Sequence, residues 1–324
     1  MFTFDYCHKI IQHTIQRANE GKEPYNLYEP IRYILSNGGK RIRPVLLLMS
    51  CNLFNESVDK AISPALAIEI FHNFTLMHDD IMDHSEMRRN KATVHKKWDV
   101  NTAILSGDTM CILAYHYLMQ VPDQYLRHVL QTFNSIGQEI CQGQQLDLDF
   151  ATRTHVGESD YITMIEKKTA SLIGGSINIG AIVGNASAED ARNLYEFGRN
   201  IGIAFQLQDD LLDVYGNAEQ FGKQIGSDIV ENKKTYLLIK AYELASPEQR
   251  DVLDNLFQQK SISPDNKVQE VTKIYDVLNI KGVTDSAISH YFNKAKSLLE
   301  KVSVEHHRKS EIEQLVEQLI NRGT

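Results

Sequence analysis

The sequence predicts an all-α protein. Apolar residues recur at spacings of three and four over long windows, residue-by-residue alternation is scarce, and short breaks such as 21-GKEP-24, 121-VPD-123 and 263-SPDN-266 divide the windows. With 324 residues, 42% of them hydrophobic, and only 7 prolines, the chain can bury a substantial core.

The first window, within MFTFDYCHKIIQHTIQRANEG, lacks the basic start, unbroken apolar core and small-residue cleavage site of a secretory signal. No later stretch reaches the roughly 20 apolar residues that a membrane-spanning helix needs. The cysteines at 7, 51, 111 and 141 form no CxxC pair, so buried free thiols in a reducing compartment are expected. A soluble cytoplasmic protein without a stable membrane anchor is the expectation. A formal net charge of -8 argues against the broad basic footprint of a nucleic-acid binder, and any phosphate site must therefore be local.

The segment 38-GGKRIRP-44 places a glycine pair before three cations, with Pro44 suited to the first position of a helix. It reads either as a phosphate cradle or as solvent-facing charge. In 65-ALAIEIFHNFTLMHDDIMD-83, Ile70, Phe74, Met77 and Ile81 make a stripe at helical spacing. A second helix is expected in 197-FGRNIGIAFQLQDDLLDVYG-216, where Gly198 and Gly202 permit close helix contact and Gly216 stops the run. Both helices end in an acidic pentapeptide, DDIMD at 79–83 and DDLLD at 209–213.

On a helix, Asp79 and Asp83 project side by side one turn apart, as do Asp209 and Asp213. Like charges at that spacing cost an isolated helix about 0.2–0.5 kcal/mol per pair, and the dipole at a helix C-terminus adds to the cost. Positive charge should come from outside. Magnesium suits such a site because it takes few carboxylates, keeps several waters and completes its octahedron with substrate phosphates. One acidic helix end alone reads equally well as a solvated face; its repetition within apolar helices argues for diphosphate held through metals.

The stretches HDDIMDHSEMRRNKATVH at 78–95, FQLQDDLLDVYG at 205–216 and GKQIGSDIVENKKT at 222–235, together with GGKRIRP, resemble the short-chain trans-prenyltransferases, the family of farnesyl and geranylgeranyl diphosphate synthases. The resemblance implies one domain over 1–324, a large helical bundle with a central cavity of the isoprenoid synthase type, and a homodimer. It implies an enzyme that condenses isopentenyl diphosphate with dimethylallyl, geranyl or farnesyl diphosphate. Asp79, Asp83 and Asp209 would hold about three magnesium ions, with manganese able to substitute. By the same resemblance, Lys40, Arg43 and His72 hold the isopentenyl diphosphate, Arg89 assists them, and Arg88 serves the allylic one. Lys168, Thr169, Gln206, Lys223 and Lys233 match the remaining allylic positions, with Thr169 and Gln206 aiming oxygen dipoles at the transient cation. Asp80, Asp210, Asp213, Gln144 and Asp147 would support the metal and its waters from behind. The GKQIGSDIVENKK segment and the C-terminal tail are candidate lids. Asn90 and Asn232 stand where the family commonly has glycine.

Product length in this family depends on side chains ahead of the first motif. Phe74 lies five residues before Asp79 and is followed by the smaller Thr75, and DDIMD carries no insertion. This pattern implies a twenty-carbon product, geranylgeranyl diphosphate, with farnesyl diphosphate as the alternative. Three rival readings fit less well. A terpene cyclase typically carries a mixed Asn/Ser/Glu second motif, and an HD-type phosphohydrolase built on His78 and Asp79 leaves GGKRIRP and the repeat unexplained. A non-catalytic partner subunit usually lacks some of the acidic residues, and all six motif aspartates are present.

Overall fold

The structure, a computed structural model, describes residues 1–18, 21–216, 225–258 and 262–320. Among the described residues, one two-stranded hairpin interrupts an otherwise helical chain. The chain divides into two compact units: Met1–Ser135 with Leu172–Tyr195 and Leu299–Leu315, and Ile136–Ser171 with Glu196–Leu298 and Val316–Thr324.

The first unit opens with α1 (Phe4–Ala18), α2 (Tyr25–Ser36), α3 (Ile42–Phe54) and α4 (Asp59–Met82), followed by β1 (Met87–Arg88), β2 (Lys91–Ala92), α5 (Val94–Lys97) and α6 (Val100–Leu118). Helix α3 is buried at every position from Pro44 to Leu53, as its continuous apolar run requires. Helix α4 packs along α3 and α6. Its N-terminal two thirds sink into the core, which leaves the DDIMD end nearer the surface. Close approach to α6 depends on Gly107, where a Cβ would overlap the His78 imidazole. The outer face of α6 carries exposed Ile104, Leu105, Ile112 and Tyr115, and exposed Met119 follows at its C-cap.

Helix α7 (Asp123–Thr152) leads to α8 (Glu158–Ile165), a π-helical turn at Glu166–Ala170, α9 (Ser171–Val183) and α10 (Ala188–Tyr215). In the first unit, Gly180 and Gly184 of α9 lie against the Leu47 and Cys51 carbonyls of α3. The second unit continues with α11 (Ser227–Val230), α12 (Tyr236–Leu244), α13 (Pro247–Gln258), α14 (Pro264–Val277) and α15 (Ile280–Glu300), before α16 (His306–Ile320). Its core is built on Tyr161, Phe197, Leu207, Leu211, Leu237 and Tyr275.

Some local expectations change. Helix α3 starts at Ile42, so Pro44 occupies its third position rather than its first; Arg41, with φ 49°, takes the left-handed turn into the helix. The 263-SPDN-266 segment begins a helix, since the Ser263 hydroxyl caps α14 by accepting from the Asn266 N–H at 3.4 Å and Pro264 fills the first turn. Cys7 and Cys51 are buried, but Cys111 is half-buried and Cys141 exposed, because the last two sit on the outer parts of amphipathic helices. No described helix is long and apolar enough to cross a membrane.

Candidate active site

The glycine pair at 38–39 has positive φ, 75° and 122°, which frees the backbone to wrap the end of α2. The three cations that follow diverge. Lys40 is exposed and Arg43 half-buried, whereas Arg41 turns inward to an ion pair with Glu69 of α4. Arg43 Nη1 lies 3.2 Å from Nε2 of His72 on the same helix. Burial, reinforced by Arg43, Arg89, Arg88 and Arg41, holds the His72 pKa well below its ordinary value. A neutral imidazole amid guanidinium groups leaves a positive field for an anion.

After four residues beyond α4, the chain turns through β1 and β2, which pair Met87 with Ala92 and Arg88 with Lys91. Arg89 and Asn90 form the two-residue loop, with φ 52° and 60°. Asparagine tolerates the left-handed region better than other non-glycine residues, so Asn90 preserves a hairpin turn that glycine also fits. Arg89 reaches back to donate to the Gly38 carbonyl.

Within DDIMD, Asp79 is half-buried and Asp83 exposed, while Asp80 is buried. Arg88 grips Asp80 twice, through Nε and Nη2, both 2.7 Å from Oδ1, and its Nη2 lies 3.8 Å from Asp79 Oδ2. Burial pushes the Asp80 carboxyl up to about 6, against the pull of Arg88. DDLLD repeats this division. Asp210 is buried and accepts from the Tyr161 hydroxyl, from Gln206 Nε2 at 3.0 Å and from the Tyr236 N–H at 3.4 Å. Burial, and next the charge of Asp228, push it up to about 8. Asp209 is half-buried, and Asp213 accepts from Ser227 Oγ at 2.6 Å and the Asp228 N–H at 3.0 Å.

Lys168 and Thr169 occupy the π turn, a wide turn of the kind that often marks functional sites. The turn is flanked by Gly143, where a Cβ would overlap the Lys168 backbone, and by Gly202, where one would overlap Ala170. Lys168 Nζ lies 2.6 Å from Asp147 Oδ2, and the Gln144 Nε2 is buried without a hydrogen-bond partner among the described residues. Thr169 donates to the Gln206 carbonyl oxygen at 3.1 Å, so the Thr169 oxygen keeps its lone pairs while Gln206 links it to Asp210. Lys233 is exposed, with Nζ 3.0 Å from Glu231 and 3.5 Å from Asp228. Asn232 before it has φ 59°, another left-handed position open to glycine. Lys223 and the last four residues of the tail lie outside the described residues.

Phe74 is half-buried, its ring 4.8 Å from His78 and 5.4 Å from Phe71, which in turn meets Phe133 at 4.7 Å. Thr75 donates its hydroxyl back to the His72 carbonyl at 2.8 Å. His78 is engaged at the α6 backbone, with Nε2 3.2 Å from the Ile104 carbonyl oxygen.

The residues present suit magnesium. The inner aspartates are held by protein donors, and the outer ones lie nearer solvent. An ion held by one or two carboxylates and completed by phosphate oxygens needs no fuller protein cage.

The fold is that of the all-helical isoprenoid synthases. A family model described as polyprenyl synthetase matches residues 24–278. The chain belongs to the polyprenyl synthetase family. It is 37% identical over 316 residues to a geranylgeranyl pyrophosphate synthase of Geoglobus acetivorans, covering 97% of this chain and 96% of the relative. A geranylgeranyl diphosphate synthase of Methanosarcina mazei is 44% identical over 223 residues, 68% of each chain. A crystal structure of a geranylgeranyl pyrophosphate synthase superposes with TM-score 0.96 at 38% identity, covering 100% of both chains.

Glu69, Tyr161, Gly143 and Gly202 were not singled out for these roles from sequence, although Gly202 was read as a close-contact position. Glu69 had a usable signal: a carboxylate in the apolar run ALAIEIF must find a partner once buried. Tyr161 lies 49 residues from Asp210, and nothing local announces that pairing.

Proposed function

We propose that this chain is a magnesium-dependent synthase that joins isopentenyl diphosphate to an allylic diphosphate and makes geranylgeranyl diphosphate. The observation that carries the reading is His72, 3.2 Å from Arg43, in the field of Arg41, Arg88 and Arg89, and two turns before Asp79 on the same helix. That arrangement suits a diphosphate beside a metal-binding carboxylate pair. The product follows from Phe74 as a single bulky residue before the motif and from the names of the similar enzymes.

In this mechanism Lys40, Arg43, His72 and Arg89 hold isopentenyl diphosphate, while Arg88, Lys168 and Lys233 bind the allylic diphosphate. Asp79, Asp83 and Asp209 would hold magnesium, for which manganese can substitute, and the bound ion would supply Lewis acidity and a template for the diphosphate. The cations stabilise the departing diphosphate, and the Thr169 oxygen faces the allylic cation. Positioning converts a two-substrate encounter into an effectively intramolecular one. The released diphosphate accepts the final proton, so no protein base is required.

The exposed apolar face of α6, on which Leu105 and Ile112 are 59% and 71% exposed, supports a homodimer. The deciding assay incubates the purified chain with labelled isopentenyl diphosphate and each allylic diphosphate, then separates the dephosphorylated products. Magnesium-dependent formation of the twenty-carbon alcohol is expected. No consumption of either substrate would sink the catalytic reading.

A further inference from the structure

We propose that the buried ion pair between Arg41 and Glu69 is a positioning device that holds residues 38–43 in the shape that receives isopentenyl diphosphate. The inference rests on the function proposed above. Arg41 is 4% exposed and sits at φ 49°, a combination of burial and left-handed backbone that arginine rarely adopts. Its Nη1 donates to Glu69 Oε1 and its Nη2 to the Leu35 carbonyl at the end of α2. Glu69 Oε1 is fixed from the other side by Asn73 Nδ2 at 2.8 Å.

The placement of these residues gives the pair its consequence. Glu69 lies one turn before His72 on α4, and Arg43, two residues after Arg41, meets His72 at 3.2 Å. The ion pair thus ties the loop to the helix that carries its histidine. On the outer side the Arg89 guanidinium lies over Gly39, where a Cβ would fall 2.7 Å from Nη1, and Arg89 donates to the Gly38 carbonyl. One arginine pins the loop from within and another from without.

Fold stability does not explain an ion pair placed this way, because desolvation offsets most of the attraction between buried charges. Holding a binding loop in its bound shape does, because the ordering cost is removed from the binding step.

The test uses Arg41→Met, Glu69→Met and the double variant of the full chain. KM is measured separately for isopentenyl diphosphate and for the allylic diphosphate, and melting is followed in parallel. Each single variant strands a buried charge and melts lower; the double variant strands none and regains most of the loss. In all three, KM for isopentenyl diphosphate rises about tenfold and the allylic KM changes less than about twofold. Recovery of both KM and melting temperature in the double variant would reduce the pair to a fold contact and overturn the proposal. Equal rises in the two KM values would also overturn it. If the single variants do not fold, the double variant decides alone. Titration calorimetry with isopentenyl diphosphate separates the two claims: a wild-type chain that binds it without turnover refutes the catalytic reading, and the same variants then test the loop through Kd. A wild-type chain that does not bind it refutes both.

Discussion

Lys168 Nζ stands 2.6 Å from Asp147 Oδ2, and four residues before that aspartate Gly143 gives the π turn room to lie against α7. One helix therefore positions both the backbone and the ammonium group of the lysine. Gly143→Ala should push the turn away, lower stability by about 1–3 kcal/mol as overpacking does, and raise KM for the allylic substrate more than for isopentenyl diphosphate. Steady-state kinetics with each substrate varied in turn, alongside thermal melting, checks this. Unchanged values of both would show that the turn does not depend on the glycine.

Asp79→Ala, Asp83→Ala and Asp209→Ala should each lower kcat by at least about 10²–10³, the loss typical of removing a main electrostatic stabiliser. Asp213→Ala should cost less turnover, because its oxygens already serve Ser227 and the Asp228 N–H, and should instead lower the melting temperature. Near-wild-type turnover in Asp79→Ala or Asp83→Ala contradicts the metal assignment.

Helix periodicity and paired acidic motifs made most of this architecture legible before any coordinates. The Ile70–Phe74–Met77–Ile81 stripe lies on α4, and both pentapeptides end helices as expected. What stayed hidden depended on long-range partners or local backbone form. Three neighbouring cations in GGKRIRP look alike in sequence, yet a left-handed φ at Arg41 sends that one inward. A π turn has no sequence signature of its own, so nothing in EKKTA announced the wide turn that carries Lys168 and Thr169. Asn90 and Asn232, by contrast, looked like departures and prove to occupy left-handed positions that suit asparagine.

The pH dependence of stability tests Asp210. Its folded pKa is about 8, above the ordinary carboxylate value near 4, so the folded, metal-free chain keeps a proton that the unfolded chain releases between those values. The contribution is full below about pH 4 and is lost as pH rises toward 8. In chelator, the wild-type melting temperature should fall between pH 5 and 8 more steeply than that of Asp210→Asn. Parallel slopes would show that Asp210 does not titrate in this way.

Phe74→Ala should lengthen the product by at least one isoprene unit, since such a unit is about one helical turn, roughly 5.4 Å, in length. Phe71 and Phe133 remain behind it as further rings. Chromatography of dephosphorylated products decides; an unchanged product with a lower melting temperature would make Phe74 ordinary packing.

Ile112→Asp on the exposed face of α6 should convert a dimer into a monomer, as read by light scattering at micromolar concentration. A wild-type chain that scatters as a monomer throughout that range removes the homodimer from the account.

The middle aspartate of each pentapeptide faces protein, Asp80 toward Arg88 and Asp210 toward Tyr161 and Gln206. DDxxD is therefore not a portable cassette. A designer who grafts the five residues onto the end of another helix must also supply a receiver for the second one, a guanidinium or a hydroxyl at the right depth, or the graft will bury a bare carboxylate and twist the outer pair out of register. Substitution libraries that vary Arg88 or Tyr161 independently of their aspartates should fill with inactive members for that reason.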